Sequence, residues 1–564
     1  MTVETFMANF GHLADAPNGV KKLRELILQL AVQGKLVPQN PNDEPASVLL
    51  QKIKAVKNKL IKAKEIRDKK IGSLDNAPFE LPESWLWVPI GNICRDWGQK
   101  VPNQQFSYID VSAIDNEKGI VAEPAVTEAA DAPSRARKLV RPGSVIYSTV
   151  RPYLLNIAVI DKMLDPEPIA STAFAIVHPL GDVSSQYVFW FLRSPAFISY
   201  VESKMLGVAY PAINDSQFFS GLFPLPPLEE QKRIVAKVGQ LMTMCDELEA
   251  RQQKQKQGRV RLNNAALDAL LTAREPDEFA DHWQRISTNF DLLYDHPETI
   301  AKLRAAVLQL AVQGKLVPQD PNDEPASILL ERIGVEKERL VKEGAVKKQK
   351  PLPSINMNSV PFALPAGWSW ARFPEVGEFG RGKSKHRPRN DRSLYVDGTY
   401  PMVQTGDVAR AKGEVKTYTA LYNEVGLAQS RLWPKGTMCI TIAANIADSA
   451  ILGFDACFPD SVVGLIVSKE VSNVRYFEYF IRTAKEHLMD FAPSTAQKNI
   501  NLGILETVLI PFPPLAEMGR IVAKVDQLMS LCNELEVRLN QAQQHSGKLM
   551  ESTVCHLLNN AQSN

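Results

Sequence analysis

The 564-residue sequence has no close cysteine pair, no membrane-length apolar run and no excess of either charge. Its six cysteines (94, 245, 439, 457, 532 and 555) include no CxxC, so they read as reduced core residues rather than metal ligands or a disulfide framework. The N-terminus MTVETFMANFGH lacks the basic start and apolar centre of a signal peptide, and no apolar run nears the ~20 residues needed to span a bilayer. A cytoplasmic location is therefore expected. There are 65 basic against 63 acidic residues, so overall charge does not announce nucleic acid, and any such site must be a local patch. Catalytic patterns are missing too: there is no HExxH, no GxSxG and no Asn/Asp-Pro-Pro-aromatic tetrad for amino methylation. The eight histidines show no metal-ligand spacing.

What is present is written twice. Leu23 to Leu50 and Leu303 to Leu330 agree at 23 of 28 positions, at an offset of 280. LPESWLW (Leu81 to Trp87) recurs as LPAGWSW (Leu364 to Trp370), and PPLEEQKRIVAKVGQLMTMCDELE from Pro226 recurs as PPLAEMGRIVAKVDQLMSLCNELE from Pro513. Between the second and third blocks lie two dissimilar stretches of about 140 residues. A framework kept twice around unlike inserts predicts two separate readers on one pseudo-two-fold scaffold.

The first block reads as a helical hairpin. Leu23, Leu26, Ile27 and Leu30 form an apolar stripe ending at Gly34, and PQNPNDEP turns into a second helix starting near Pro45. That helix ends in the basic tail KIKAVKNKLIKAKEIRDKK, which reads first as a solvated face; the copy ends in Lys347, Lys348 and Lys350. In the third block Ile234, Val238, Leu241, Cys245 and Leu248 step by 4 and 3, as do Ile521, Val525, Leu528, Cys532 and Leu535. This rhythm predicts a helix from about Glu229 to Gln257 and a matching C-terminal one. It also predicts an antiparallel, coiled-coil-like pair in which Leu241 and Leu528 share one interface. The expected organisation is a helical region (1–77), a recognition domain (78–225), a long helix (226–272), a second helical region (273–360), a second recognition domain (361–512) and a closing helix (513–564).

Both inserts have an α+β pattern. Short β-like runs (Ser144 to Val150, Ile157 to Ile160 and Thr172 to Val177; then Thr437 to Ile442 and Val462 to Val467) precede one aromatic helix each, starting at Ser185 and Ser472. GEFGRGKS (Gly377 to Ser384) fits the phosphate-loop pattern, but Pro374 upstream and Pro388 downstream deny it the flanking strand and helix. Asp407, Glu414 and Lys416 make a nuclease-like triplet that chance explains.

The stretch Arg381 to Arg392 carries six Lys/Arg against one Asp, which suits the phosphate backbone. Lys383, Lys385, Arg387 and Arg389 are the expected phosphate contacts. Gln404, Thr405, Gln497 and Asn501 are expected near base edges, with Arg410 and Lys498 on the same surface. The comparable loop Gly98 to Tyr108 offers Asn103, Gln104 and Gln105, amides able to pair with adenine. In this first insert Arg151 and Lys204 are expected on phosphates, and Gln104, Tyr210 and Asn214 near bases, with Tyr153 also among the expected DNA contacts.

These residues resemble the specificity subunit of type I restriction-modification systems over nearly the whole chain, in the order conserved block, recognition domain, conserved block, recognition domain, closing helix. LPESWLWVPIGNI and LPAGWSWARFPEVGEF are similar to the family's domain openings. LVRPGSVIYSTVRPYLLNIAVID, PMVQTGDVARAKG and RLWPKGTMCITIA are similar to its mid-domain runs. PLPPLEEQKRIVAKV and PFPPLAEMGRIVAKV resemble its closing signature, with Met518 and Gly519 replacing Gln231 and Lys232. The resemblance implies a non-enzymatic reader of double-stranded DNA with a bipartite target. It would hold two modification subunits, which methylate adenine, and restriction subunits. It would carry no cofactor of its own, the partners using S-adenosylmethionine, ATP and Mg. A protein-only scaffold without DNA contact and a P-loop nucleotide-binding enzyme are the competing readings.

Overall fold

In the computed structural model, residues 10–66, 77–207, 210–346, 351–386, 388–443, 446–471, 473–490 and 500–560 are described. They form two units, residues 1–256 with 542–564 and residues 257–541.

In the first unit the apolar stripe becomes α1 (Gly19–Val32), which buries Leu23, Ile27 and Leu30 to 1% exposure or less. The helix stops because Gly34 turns at φ +70°, letting Lys35 N–H reach back to Leu30 O at 2.9 Å. A Cβ at Gly34 would also meet Pro82 Cγ at 2.5 Å, so the residue serves both the turn and the close packing. Pro45 immediately precedes α2 (Ala46–Lys62), which buries Leu49 and Ile53.

The first insert is built on three sheets. β1 (Leu86–Pro89) pairs antiparallel with β12 (Leu222–Leu225), so the segment enters and leaves through one two-strand clasp. A larger sheet has the order β2 (Cys94–Arg95), β11 (Phe174–Pro179), β8 (Val145–Ser148), β9 (Ile157–Val159), β5 (Ile120–Val121), β4 (Ile114–Asp115). β8 is buried at every residue, so its side chains do not alternate between core and solvent, and the buried Ser148 hydroxyl donates to Val150 O at 2.9 Å. A smaller sheet has the order β6 (Ala125–Thr127), β3 (Phe106–Ile109), β10 (Pro168–Ser171), β7 (Ala136–Leu139). The expected single aromatic helix is two, α3 (Ser185–Leu192) and α4 (Pro195–Lys204). Ser194 ends the first and caps the second, accepting from Phe197 N, and Pro195 takes the first position of α4, where its missing N–H costs nothing. α5 (Asp215–Ser220) precedes β12.

α6 (Leu228–Thr272) follows, 45 residues long, fifteen beyond the expected end at Gln257. Its first part belongs to the first unit and its last part, from Gln257, to the second. The second unit continues with α7 (Pro276–Thr288), α8 (Pro297–Val312) and α9 (Ala326–Lys342). The hairpin copy repeats the first closely: Gly314 sits at φ +69° and a Cβ there would meet Pro365 Cγ at 2.5 Å.

The second insert repeats the strand order of the first, except that β4 at the edge of the larger sheet has no counterpart among the described residues. β13 (Ser369–Ala371) clasps β23 (Ile510–Phe512). The larger sheet runs β14 (Gly377–Arg381), β22 (Val462–Val467), β19 (Met438–Thr441), β20 (Ser449–Leu452), β16 (Glu414–Val415). The smaller runs β17 (Ala420–Tyr422), β15 (Tyr400–Met402), β21 (Ala456–Cys457), β18 (Leu432–Trp433). Even the parallel pair recurs, β3 with β10 and β15 with β21. Helices α10 (Thr405–Arg410), α11 (Arg475–Asp490) and α12 (Leu502–Thr507) complete the insert, before α13 (Leu515–Asn560).

The duplicated blocks meet at one joint in each unit. Glu230, 1% exposed, accepts from Trp85 Nε1 at 2.9 Å and from Gln39 Nε2 at 2.5 Å; Glu517, also 1% exposed, accepts from Trp368 Nε1 at 3.0 Å and Gln319 Nε2 at 3.1 Å. Arg233 pairs with Asp43 and Arg520 with Asp323 beside them. Burial raises both carboxyl pKa values, opposed by the hydrogen bonds from tryptophan and glutamine. One departure between the copies is explained here. Gln231 accepts from Ser184 N at 3.0 Å, whereas Met518 fills the corresponding place as a fully buried apolar side chain.

Each unit packs the start of one long helix with the end of the other. In the first, Met550 joins the core that holds Leu241 and Cys245, and Glu551 pairs with Lys22; in the second, Leu267 and Leu270 pack with Leu535. The two helices therefore run in opposite directions. The two stripes are covered within their own units: Leu241 lies in the first unit's core and Leu528 packs against a core of the second. A 4,3 rhythm specifies a stripe, not the surface that covers it. The cysteines at 94, 245, 439, 457 and 532 are buried and unbridged. No helix among the described residues is long and apolar enough to cross a membrane.

Candidate nucleic-acid interface

The two loops singled out by composition occupy the same place in the two inserts. Residues 96–105 join β2 to β3, and residues 382–399 join β14 to β15; each runs from the edge of the larger sheet to an inner strand of the smaller. The first presents Asn103, Gln104 and Gln105, all exposed, although Gln105 Nε2 is engaged with Glu128 at 2.7 Å. Lys100 anchors it on Glu167 at 2.6 Å, and Arg141 adds a longer pair to the same carboxylate. The Lys100 hydrogen bond, ahead of other causes, holds Glu167 below its ordinary pKa.

A chain of contacts extends this surface. Gln99 bridges Lys138 on β7, and Lys138 Nζ reaches Asp215 at 2.8 Å, the first residue of α5. The loop before α5 carries Tyr210, 70% exposed, and the Arg151 guanidinium lies 4.9 Å from its ring centre. Tyr153 follows on the same turn, and Lys204, at the end of α4, lies 5.8 Å from the Tyr200 ring. Arg151, Tyr153 and Tyr210 are thus brought together, and Lys138, which composition alone did not mark, connects them to the amide loop. Asn214 has another task. Its Oδ1 caps α5 by accepting from Gln217 N at 2.8 Å.

In the second insert Lys383 and Lys385 are exposed on a loop held by its backbone. Lys383 N–H donates to Phe458 O at 3.1 Å and Lys385 N–H to Gln429 Oε1 at 2.6 Å, so the ammonium groups project without carrying the fold. Arg389 pairs with Asp460. Asp391 accepts from Ser393 N and from His386, and these bonds, the first foremost, lower its pKa to about 2. Gln404, Thr405 and Arg410 lie elsewhere, at the start and end of α10 against β19 and β20. Arg410 is tied to the buried Asp407 at 2.7 Å, and Thr419 Oγ1 donates to the same carboxylate at 3.1 Å. Asn501 caps α12 through Ile504 N at 2.9 Å, the counterpart of Asn214. Both capping asparagines carry the local signal of a polar residue opening a short helix, a role that competes with base reading for the same oxygen. Arg387, Gln497, Lys498 and the tail lysines 347, 348 and 350 lie outside the described residues. Gly377 to Arg381, five of the eight residues of the phosphate-loop pattern, are strand, paired residue for residue with β22, and among the described residues no α-helix directly follows the pattern.

The family model for the type I restriction modification DNA specificity domain matches residues 141–256 and 365–543. The chain is 33% identical over 547 residues to the EcoAI type I restriction enzyme specificity subunit of Escherichia coli, covering 93% of this chain and 92% of that one. It is 31% identical to the EcoEI specificity subunit of the same organism over 566 residues, covering 96% and 94%. Among solved structures, a chain described in a study of complex assembly and conformational transition of the type I R-M system has TM-score 0.51 at 24% identity. It covers 85% of this chain and 99% of its own. With two matched regions in one chain, and relatives above 30% identity along almost its full length, the chain belongs to the family of type I restriction-modification specificity subunits.

Proposed function

We propose that each recognition domain reads one half of a bipartite double-stranded DNA target, and that the duplicated scaffold holds two modification subunits and, in a larger complex, restriction subunits. As a specificity subunit the chain is the non-catalytic, DNA-recognition component. One observation carries the reading of two half-sites: the two inserts share strand order and clasp yet differ in the loops that leave them, amide-rich in one and lysine-rich in the other. The exposed turn Pro38 to Pro45, repeated almost unchanged as Pro318 to Pro325, supports two equivalent partner sites. S-adenosylmethionine, ATP and Mg belong to the partners in this reading; the strand at Gly377–Arg381 supports that assignment for nucleotide.

Exchange of Glu80 to Leu225 for the first domain of another family member tests it. Methylome sequencing of a host carrying the chimaera should show one half of the methylated target changed and the other retained. Change in both halves, or in neither, would overturn the modular reading.

A further inference from the structure

The two recognition domains differ sharply at one equivalent turn. In both, it joins the central strand of the larger sheet to the next: residues 149–156 link β8 to β9, and residues 442–448 link β19 to β20. In the second domain Ile446 and Ala447 of this turn are buried, at 6% and 1% exposure, and Ala443 is half-buried. In the first they point outward, with Tyr153 48% and Leu154 44% exposed.

The exposed turn is rigid. Arg151 (φ +49°) and Leu155 (φ +52°) bracket it, both in the left-handed region that residues with a side chain rarely occupy. Pro152 between them is buried, and Leu154 and Leu155 donate back to Arg151 and Pro152 at 3.0 Å each. From outside, Arg151 N–H donates to Pro211 O at 2.8 Å and Asn116 Nδ2 to Leu154 O at 3.0 Å. Beside the turn stands Tyr210, 70% exposed under the Arg151 guanidinium. Adjacent large apolar side chains held out on a braced, strained turn are costly unless a partner covers them.

Charge and continuity identify the partner. Arg151 makes no ion pair with an acidic side chain among the described residues, and through Pro211, Asp215 and Lys138 the turn is continuous with the amide-bearing loop at 99–105. We infer that Tyr153 and Leu154 form an apolar wedge that enters the DNA of the first half-site between adjacent base pairs, with Arg151 on the flanking phosphate. The inference rests on the DNA-reading function proposed above. Such wedges unstack one step and kink the duplex, and a turn already fixed in shape loses little freedom on insertion. Among the described residues of the second domain's turn no large apolar side chain is exposed, so the wedge is inferred for the first half-site only.

The test uses the chain assembled with its methylating partner. Duplexes carry 2-aminopurine moved stepwise through each half-site, and fluorescence and affinity are read together. The parent complex should brighten the probe at one step of the first half-site, apart from any adenine that the methylating partner extrudes. Tyr153→Ala with Leu154→Ala should abolish that signal and weaken binding about tenfold or more, while Tyr153→Phe should keep both. Unchanged fluorescence and affinity in the double variant would overturn the wedge, as would loss of both in the phenylalanine variant. Loss of partner assembly with the DNA signal intact would make the patch a protein contact and equally overturn it. If the domain exchange still redirects the first half of the target, such a failure is the wedge's alone; if the exchange redirects nothing, the reading function itself has failed.

Discussion

Trp85 Nε1 donates to Glu230 Oε2 at 2.9 Å across 145 residues of sequence, and Trp368 repeats the bond to Glu517 at 3.0 Å. Each joint ties the opening strand of a recognition domain to the head of a long helix. Glu230→Ala and Glu517→Ala each leave a buried indole N–H unpaired, at a cost of ~1–3 kcal/mol. Chemical denaturation of each variant measures it; a cost below a few tenths in both would show that the joint does not hold the domain.

The same pair sets a pH dependence. Burial raises the folded pKa of both carboxyls, so each binds its proton more tightly in the folded chain than in the unfolded one. Sign follows: their contribution to stability is most favourable at low pH and diminishes as pH rises from the ordinary glutamate range through the raised values. Glu230→Gln with Glu517→Gln should flatten that part of the stability profile, measured by denaturation from about pH 4 upward.

Lys383 and Lys385 project from a loop held by backbone bonds, so their loss should not unfold it. Lys383→Ala should weaken binding to all DNA sequences alike and lower the salt slope by about one unit. A change confined to one target sequence would move Lys383 from the phosphates to a base.

Asn214 and Asn501 cap helices at equivalent places. Alanine at either should cost ~0.5–2 kcal/mol of stability. Serine, which can also cap, should restore most of it; if stability is untouched while target preference shifts, base reading outweighs capping.

Leu241 and Leu528 pack in different cores. Leu241→Ala, at a fully buried position, should cost ~2–5 kcal/mol, and the two substitutions should add within about 0.5 kcal/mol. A coupling well above that, from a double-mutant cycle, would restore a shared interface.

Much of this architecture was legible because the chain repeats itself. Two copies of one stripe, one tryptophan opening and one helix head mark the scaffold without a second sequence, and the unlike stretches between them mark the two inserts. The 4,3 rhythm by itself stops the long helix near Gln257, short of the span 226–272 assigned to it, because Arg251 to Arg261, RQQKQKQGRVR, carries no apolar period. Helix continues through it to bury Leu267 and Leu270 beyond, and burial at a distance leaves no local mark. Composition marked the loops at 98–108 and 381–392, which the fold brings to equivalent places in the two inserts, whereas the cap at Asn214, the anchor of Arg389 on Asp460 and the exposure of Leu154 all depend on neighbours that composition does not reveal.

Entry and exit through a single clasp, Leu86 opposite Leu225 and Ser369 opposite Phe512, have a consequence for inheritance. A stretch whose two ends lie side by side can be replaced whole, with the cuts falling in strands that the scaffold supplies in either case. Recurring blocks border both stretches, LPESWLW with LPAGWSW before them and the 24 residues from Pro226 with those from Pro513 after them. Under the function proposed above, a lineage carrying such a chain acquires a new half-target in one genetic event, while point substitution inside a loop would have to pass through intermediates that read neither target well.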